Sequence, residues 1–240
     1  MKKLTALLLM LLVLSGCQSK AVMKSTDFTL SNTEFAYYYW SEFFYTKEST
    51  GTFMDVDFEK PLDTQMYDEN QTWQDYMVDH TITLVEETMS LVFAAWDEGY
   101  EMTAEYEEAF DDVMVNFADA AMAQEYKNMD AYLQASYGRG AEEDSFRQYL
   151  YCTHLASSYA DELYARSVPT EEEAQAYYDA NPAAYEEGGL EQAMEDLRTE
   201  NYNNAILKAL NAYTFTVSRE NIRITAPEGL YEKEESENKQ

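Results

Sequence analysis

Cys152 and His154 are reactive side chains close together in this sequence, but their spacing argues against a common site. Two positions apart on a helix, they project about 200° from each other and cannot share a metal from one face. Cys152 is therefore read as a small apolar packing residue, the alternative being a reactive thiol beside the one nearby cationic candidate, His154. His80 is read as a helix-face residue without a catalytic role. The stretch "DVDFEKPLD" offers Asp55, Asp57 and Glu59 in a calcium-loop spacing. Lys60 stands where an EF-hand needs glycine, and Met66 where it needs a bidentate glutamate, so the pattern argues against calcium. The carboxylate pairs Glu107-Glu108 and Asp111-Asp112 and the run Glu171-Glu172-Glu173 read as solvated acidic helix faces. With 8 glycines and no G-x-S-x-G, neither a phosphate-cradling loop nor a nucleophile elbow is present. No catalytic residue, metal ligand or cofactor is nominated.

What the sequence concentrates instead is rings. Residues 35–45, "FAYYYWSEFFY", are aromatic at eight of eleven positions. On a helix Phe35, Tyr39 and Phe43 share one face, Tyr37, Trp40 and Phe44 a second, and Tyr38 and Tyr45 a third. Two readings follow. Either the helix is sandwiched and wholly buried, or one face lines a groove in which Tyr37, Tyr38, Trp40, Phe44 and Tyr45 are candidate contacts for a partner polypeptide.

The elements that must position these rings begin after a targeting segment. Lys2 and Lys3 precede an apolar run from Leu4 to Leu14 that is too short for a stable membrane span. Leu14-Ser15-Gly16-Cys17 resembles the lipobox of bacterial lipoproteins. That resemblance implies a signal peptide at 1–16 and a mature terminus at Cys17 acylated on sulfur and amine, which would anchor the protein outside the cytoplasm on the bacterial cell membrane. The alternative is an ordinary secretory signal cleaved near Ser15 or Gly16. Residues 17–27 are read as a tether of about 17 Å if flexible. Removing residues 1–16 leaves 14 basic against 46 acidic residues, a net charge of −32, which argues against nucleic acid as a partner and against adsorption on anionic lipid. If Cys17 is acylated, Cys152 has no partner for a disulfide.

Few glycines and only 4 prolines point to an all-α, multi-helix domain over 28–225. Phe28–Leu30 reads as a short strand, and Ser31 or Asn32 then caps a helix to about Thr46. Residues 49–69 read as a long loop. A helix from about Thr72 to Glu98 carries Trp73, Tyr76, Met77, His80, Leu84, Thr88, Leu91 and Ala95 on one face and ends at Gly99. Thr103 caps a helix to about Gln124 with Tyr106, Phe110, Val113, Met114 and Phe117 as its apolar stripe. A short helix stops at Gly138, and a long one runs over 142–166 on Phe146, Tyr149, Leu150, Leu155 and Leu163. The T-E-E-E of Thr170–Glu173 is a capping box. A closing helix over about 190–212 turns Met194, Leu197, Ile206, Leu207 and Leu210 inward. "TFTVSRENIRI" alternates like a strand, and Ile222–Ile224 is expected to pair with the segment near Phe28. Residues 226–240 read as a disordered acidic tail.

The segments "FTLSNTEFAYYYW", "NMDAYLQASYGRGAEEDSFRQYLYCTHLASSYADELY" and "PTEEEAQAYYDANPAAY" resemble, in that order, the helical chaperone module of extracytoplasmic foldases of the PrsA and SurA type. Thr170, Glu171, Glu173, Tyr177 and Tyr178 match the last element. The resemblance implies a closing segment, 190–225, that returns to the module, and a parvulin prolyl-isomerase domain inserted before it. Here only Glu186 to Gly189 separate Tyr185 from that closing segment, and no histidine lies between 155 and 240. The expected function is thus a membrane-anchored chaperone that holds unfolded or partly folded exported polypeptides without catalysis. The alternatives are an active peptidyl-prolyl isomerase of that family and a lipoprotein binding a glycan or small molecule.

Overall fold

The computed structural model describes residues 20–26, 28–50, 55–185 and 187–231. The leader at 1–16, Cys17 and tail residues 232–240 lie outside the described residues. Within them the chain is predominantly helical, as composition implies, with seven α-helices and one three-stranded antiparallel sheet.

The sheet gathers the two ends of the described domain. Strands β1 (Ala21–Ser25) and β2 (Phe28–Ser31) form a hairpin, and β3 (Thr216–Val217) pairs with the other edge of β1, giving the order β2-β1-β3. The ends therefore meet, but the details differ from the reading of the sequence. Residues 21–25, expected in the tether, form the central strand. The partner of the C-terminal segment is β1 rather than the stretch near Phe28, through Met23 opposite Val217 and Lys24 opposite Thr216. A bulge between Ala21 and Met23 explains the concealment: it lets consecutive side chains, Val22 and Met23, both enter the core and so erases the two-residue alternation of a half-buried strand. Ile222–Arg223 runs beside the start of the first helix, where Asn32 Nδ2 donates to the Arg223 carbonyl at 2.9 Å and its Oδ1 accepts the Arg223 N–H at 2.6 Å.

Helix α1 (Asn32–Thr50) starts from a capping box: Ser31 Oγ accepts the Glu34 N–H at 3.2 Å, and Glu34 Oε2 accepts the Ser31 N–H at 2.7 Å. It is packed by α2 (Trp73–Glu98), α4 (Met129–Tyr137), α5 (Glu143–Arg166) and the β1–β2 hairpin. Thr72 and Asp75 cap α2 reciprocally, and Gly99, at φ +67°, closes it in the left-handed conformation that glycine adopts at little steric cost. The buried face of α2 is broader than the expected stripe. Val85, Met89 and Val92 point to the core, whereas Leu84 and Leu91 are half-buried and His80 is exposed.

Helix α3 (Ala104–Ala123) lies against α5 and α4, its Thr103 N–H accepted by the buried Ser158 Oγ of α5 at 3.2 Å. Thr170 and Glu173 form the expected capping box of α6 (Glu171–Ala180). Fully buried Ala174 and Ala193 permit close packing of α6 on α7 (Gly189–Asn211). The closing helix also docks on α5: the Arg198 guanidinium lies 3.8 Å from the Tyr164 ring centre, and Tyr164 donates to Glu195 Oε1 at 2.9 Å. Leu207, expected inward, is 53% exposed, because Ala209 faces the core instead. Residues 227–230, expected in the disordered tail, are part of the packed domain. Pro227 is buried, Glu228 N–H bonds the Ala135 carbonyl at 3.0 Å, and Leu230 packs on the core.

Candidate functional site

The aromatic block of α1 is structural over most of its length. Phe35, Tyr37, Tyr38, Tyr39, Trp40 and Phe43 are each no more than 3% exposed, so rings on every face are matched by packing on every side. Of the candidate contacts, Tyr37, Tyr38 and Trp40 are thus inside. Phe44 is half-buried against Trp40 and Phe43, and Tyr45 alone is open, at 67%. The candidates are not one surface.

Tyr37 has a role that sequence reading missed. Its hydroxyl accepts the Glu142 N–H at 3.1 Å and lies 2.8 Å from Ser145 Oγ, at the start of α5, where Glu142 makes no side-chain cap bond. Asp130 Oδ1 accepts the next N–H, of Glu143, at 2.8 Å. The first turn of α5 is capped from α1 and α4. Burial pushes the Tyr37 hydroxyl up to about 12 and holds that of Tyr38 well above the ordinary 10.0. The same cause pushes the Cys152 thiol up to about 12, and Gln148 Nε2 donates to its sulfur at 3.3 Å. Cys152 is a packing residue in the core, as expected, not a poised nucleophile. His154 Nδ1 lies 2.9 Å from the Leu150 carbonyl and stands edge-on to Phe110.

The rings and methionines that do reach solvent lie elsewhere. Tyr67, 42% exposed, stacks on Tyr76 with ring centres 4.3 Å apart, and the His80 ring continues the row in parallel 6.3 Å beyond. Glu42 Oε1 of α1 meets His80 Nε2 at 3.2 Å. A second apolar region lies where α3 faces α4 and α5. There Met114, Val115, Ala118 and Met129 line an open groove of about 390 Å³, with Asp111, Glu143 and Arg147 at its rim. Val115 is 57% exposed, and Met122, two turns further along α3, is 69% exposed. The 3–4 spacing of these residues was the available signal, masked by the parallel stripe of Tyr106, Phe110, Val113, Met114 and Phe117 on the same helix.

A third depression, of about 320 Å³, is bordered by Lys20, Asn32, Asn221 and Arg223. Its amides are engaged in the seam between the chain ends, Asn221 Nδ2 donating to the Ala21 carbonyl at 2.9 Å. Among the described residues no group of three or more His, Cys, Asp or Glu side chains is arranged to hold a metal ion, and no helix is long and apolar enough to cross a membrane.

No family model, curated protein or solved structure matches the chain.

Proposed function

We propose that the protein is a lipid-anchored extracytoplasmic chaperone that holds unfolded or partly folded exported polypeptides without catalysing a reaction on them. The observation that carries this reading is the open groove of α3, α4 and α5, where exposed Val115 and Ala118 and half-buried Met129 offer apolar, adaptable contacts over a buried Met114. Methionine suits varied partners because its unbranched, polarisable chain repacks at small cost. A high negative charge would keep complexes with such partners soluble. The order of helical segments that resembles the PrsA and SurA chaperone module supports the same reading, with Cys17 as the anchor.

The detergent-purified protein is expected to slow aggregation of an unfolded exported protein at stoichiometric ratios while leaving prolyl isomerisation in a test peptide unchanged. Val115→Ser combined with Met122→Ser should weaken protection without lowering the melting temperature, since both side chains are exposed. Full protection by that double variant would refute the exposed apolar face of α3 as the holding surface, and faster isomerisation would establish the isomerase alternative.

A second reading is favoured by the stack of Tyr67 on Tyr76. The exposed ring of Tyr67, backed by Tyr76, suits the flat face of a sugar, and saturable glycan binding abolished by Tyr67→Ala would support it.

A further inference from the structure

We propose that the groove on α3 selects polypeptide segments in which an apolar stretch adjoins a cluster of lysine or arginine. This deepens the chaperone reading and rests on it. The solvent-facing stripe of α3 is its basis. Glu108, Asp111, Val115, Ala118 and Met122 follow one another at spacings of three and four, and all five are exposed. The stripe is divided along its length: carboxylates occupy its N-terminal half and apolar side chains its C-terminal half. It extends for about 21 Å at the helical rise.

The rest of the rim does not cancel the acidic half. Helix α3 contains no lysine or arginine. Arg147, the cation of the groove, is held by its own helix neighbour Glu143 at 3.1 Å and lies 5.8 Å over the Phe110 ring. Among the described residues Asp111 has no ion-pair partner. A bound segment would therefore lay its apolar side chains over Val115, Ala118 and Met122 and its cations beside Glu108 and Asp111. Apolar contact would hold it, and the charges would set orientation and choice of partner. A second copy of this chain is disfavoured as the occupant because each copy carries a formal net charge of −30.

The test measures binding of two labelled peptides to the full chain in nonionic detergent, with empty micelles as the blank. Both peptides share a leucine- and alanine-rich half; the other half carries lysines in one and glutamates in the other. The lysine peptide is expected to bind about tenfold more tightly at low salt. Glu108→Gln with Asp111→Asn should reduce that preference to about twofold or less, whereas Glu171→Gln with Glu172→Gln on α6 should leave it unchanged. Equal affinities for the two peptides would overturn the proposal. So would loss of preference in the α6 variant, which would assign the effect to bulk charge, or a dimer that dissociates on Val115→Ser with Met122→Ser. Intact protection of clients with equal peptide affinities would defeat this inference and leave the chaperone reading standing; absence of both protection and peptide binding would defeat the chaperone reading itself.

Discussion

The Tyr37 hydroxyl caps the start of α5 by accepting the Glu142 N–H at 3.1 Å, across 105 positions of sequence. Tyr37→Phe keeps the ring and its edge-on contacts with Tyr137 and Phe146 but leaves that N–H without its partner. The variant should lose about 1–2 kcal/mol of stability, read by urea denaturation. An unchanged midpoint would show that the cap is replaced by water.

Tyr38 and Tyr45, seven positions apart on one helix, should respond in opposite ways. Tyr38 is 3% exposed and edge-on to Tyr149 at 4.7 Å, so Tyr38→Ser should cost about 3–5 kcal/mol. Tyr45→Ser removes a solvent-facing ring and should change stability by less than about 0.5 kcal/mol. Comparable losses in the two variants would contradict the burial pattern of α1.

Alkaline unfolding should be cooperative and led by the core. Burial raises Tyr37 and Cys152 to about 12 from ordinary values of 10.0 and 9.0, and holds Tyr38 well above its ordinary 10.0. Between those ordinary and raised values the folded chain holds protons that the unfolded chain has released, so stability is full below about pH 9 and falls as pH rises toward 12. The tyrosinate absorbance of the buried rings should appear together with the loss of far-ultraviolet dichroism, in one late step. Cys152 should resist thiol reagents at mildly alkaline pH until the chain unfolds. Rapid labelling of the native protein would contradict its place in the core.

The proposed anchor has a direct test. Cys17→Ser should release the protein from membranes into the soluble fraction and abolish acylation detected by mass spectrometry. Retention of that variant on membranes would reject lipidation at Cys17.

How much of this was legible in the sequence depended on the range of the interaction. The caps at Thr170 and Gly99 were legible because their chemistry is completed within a few residues: a hydroxyl and a carboxylate three positions apart, and a glycine after the last helical turn. The exposure of Tyr38 or Tyr45 was not, because rings on all sides of α1 describe the helix and not its neighbours. The same limit hid Tyr37 as a cap for α5 and Ser158 as the acceptor for Thr103. Strand β1 was hidden for a local reason, the bulge that places Val22 and Met23 on the same side. On α3 two stripes at helical spacing were present, and only packing against α4 and α5 tells which one faces solvent.

The seam between the chain ends also bears on the order of folding. Asn221 bonds the Ala21 carbonyl across 200 positions, and β1 gains its second neighbour only when Thr216–Val217 arrives. Closing so distant a contact is slow relative to the helical turns between, and synthesis delivers β1 long before its partner. During that interval one edge of β1 offers unpaired amides and carbonyls to any passing strand. A chain cut short before residue 216 would keep that edge open permanently, making premature termination a route to aggregation.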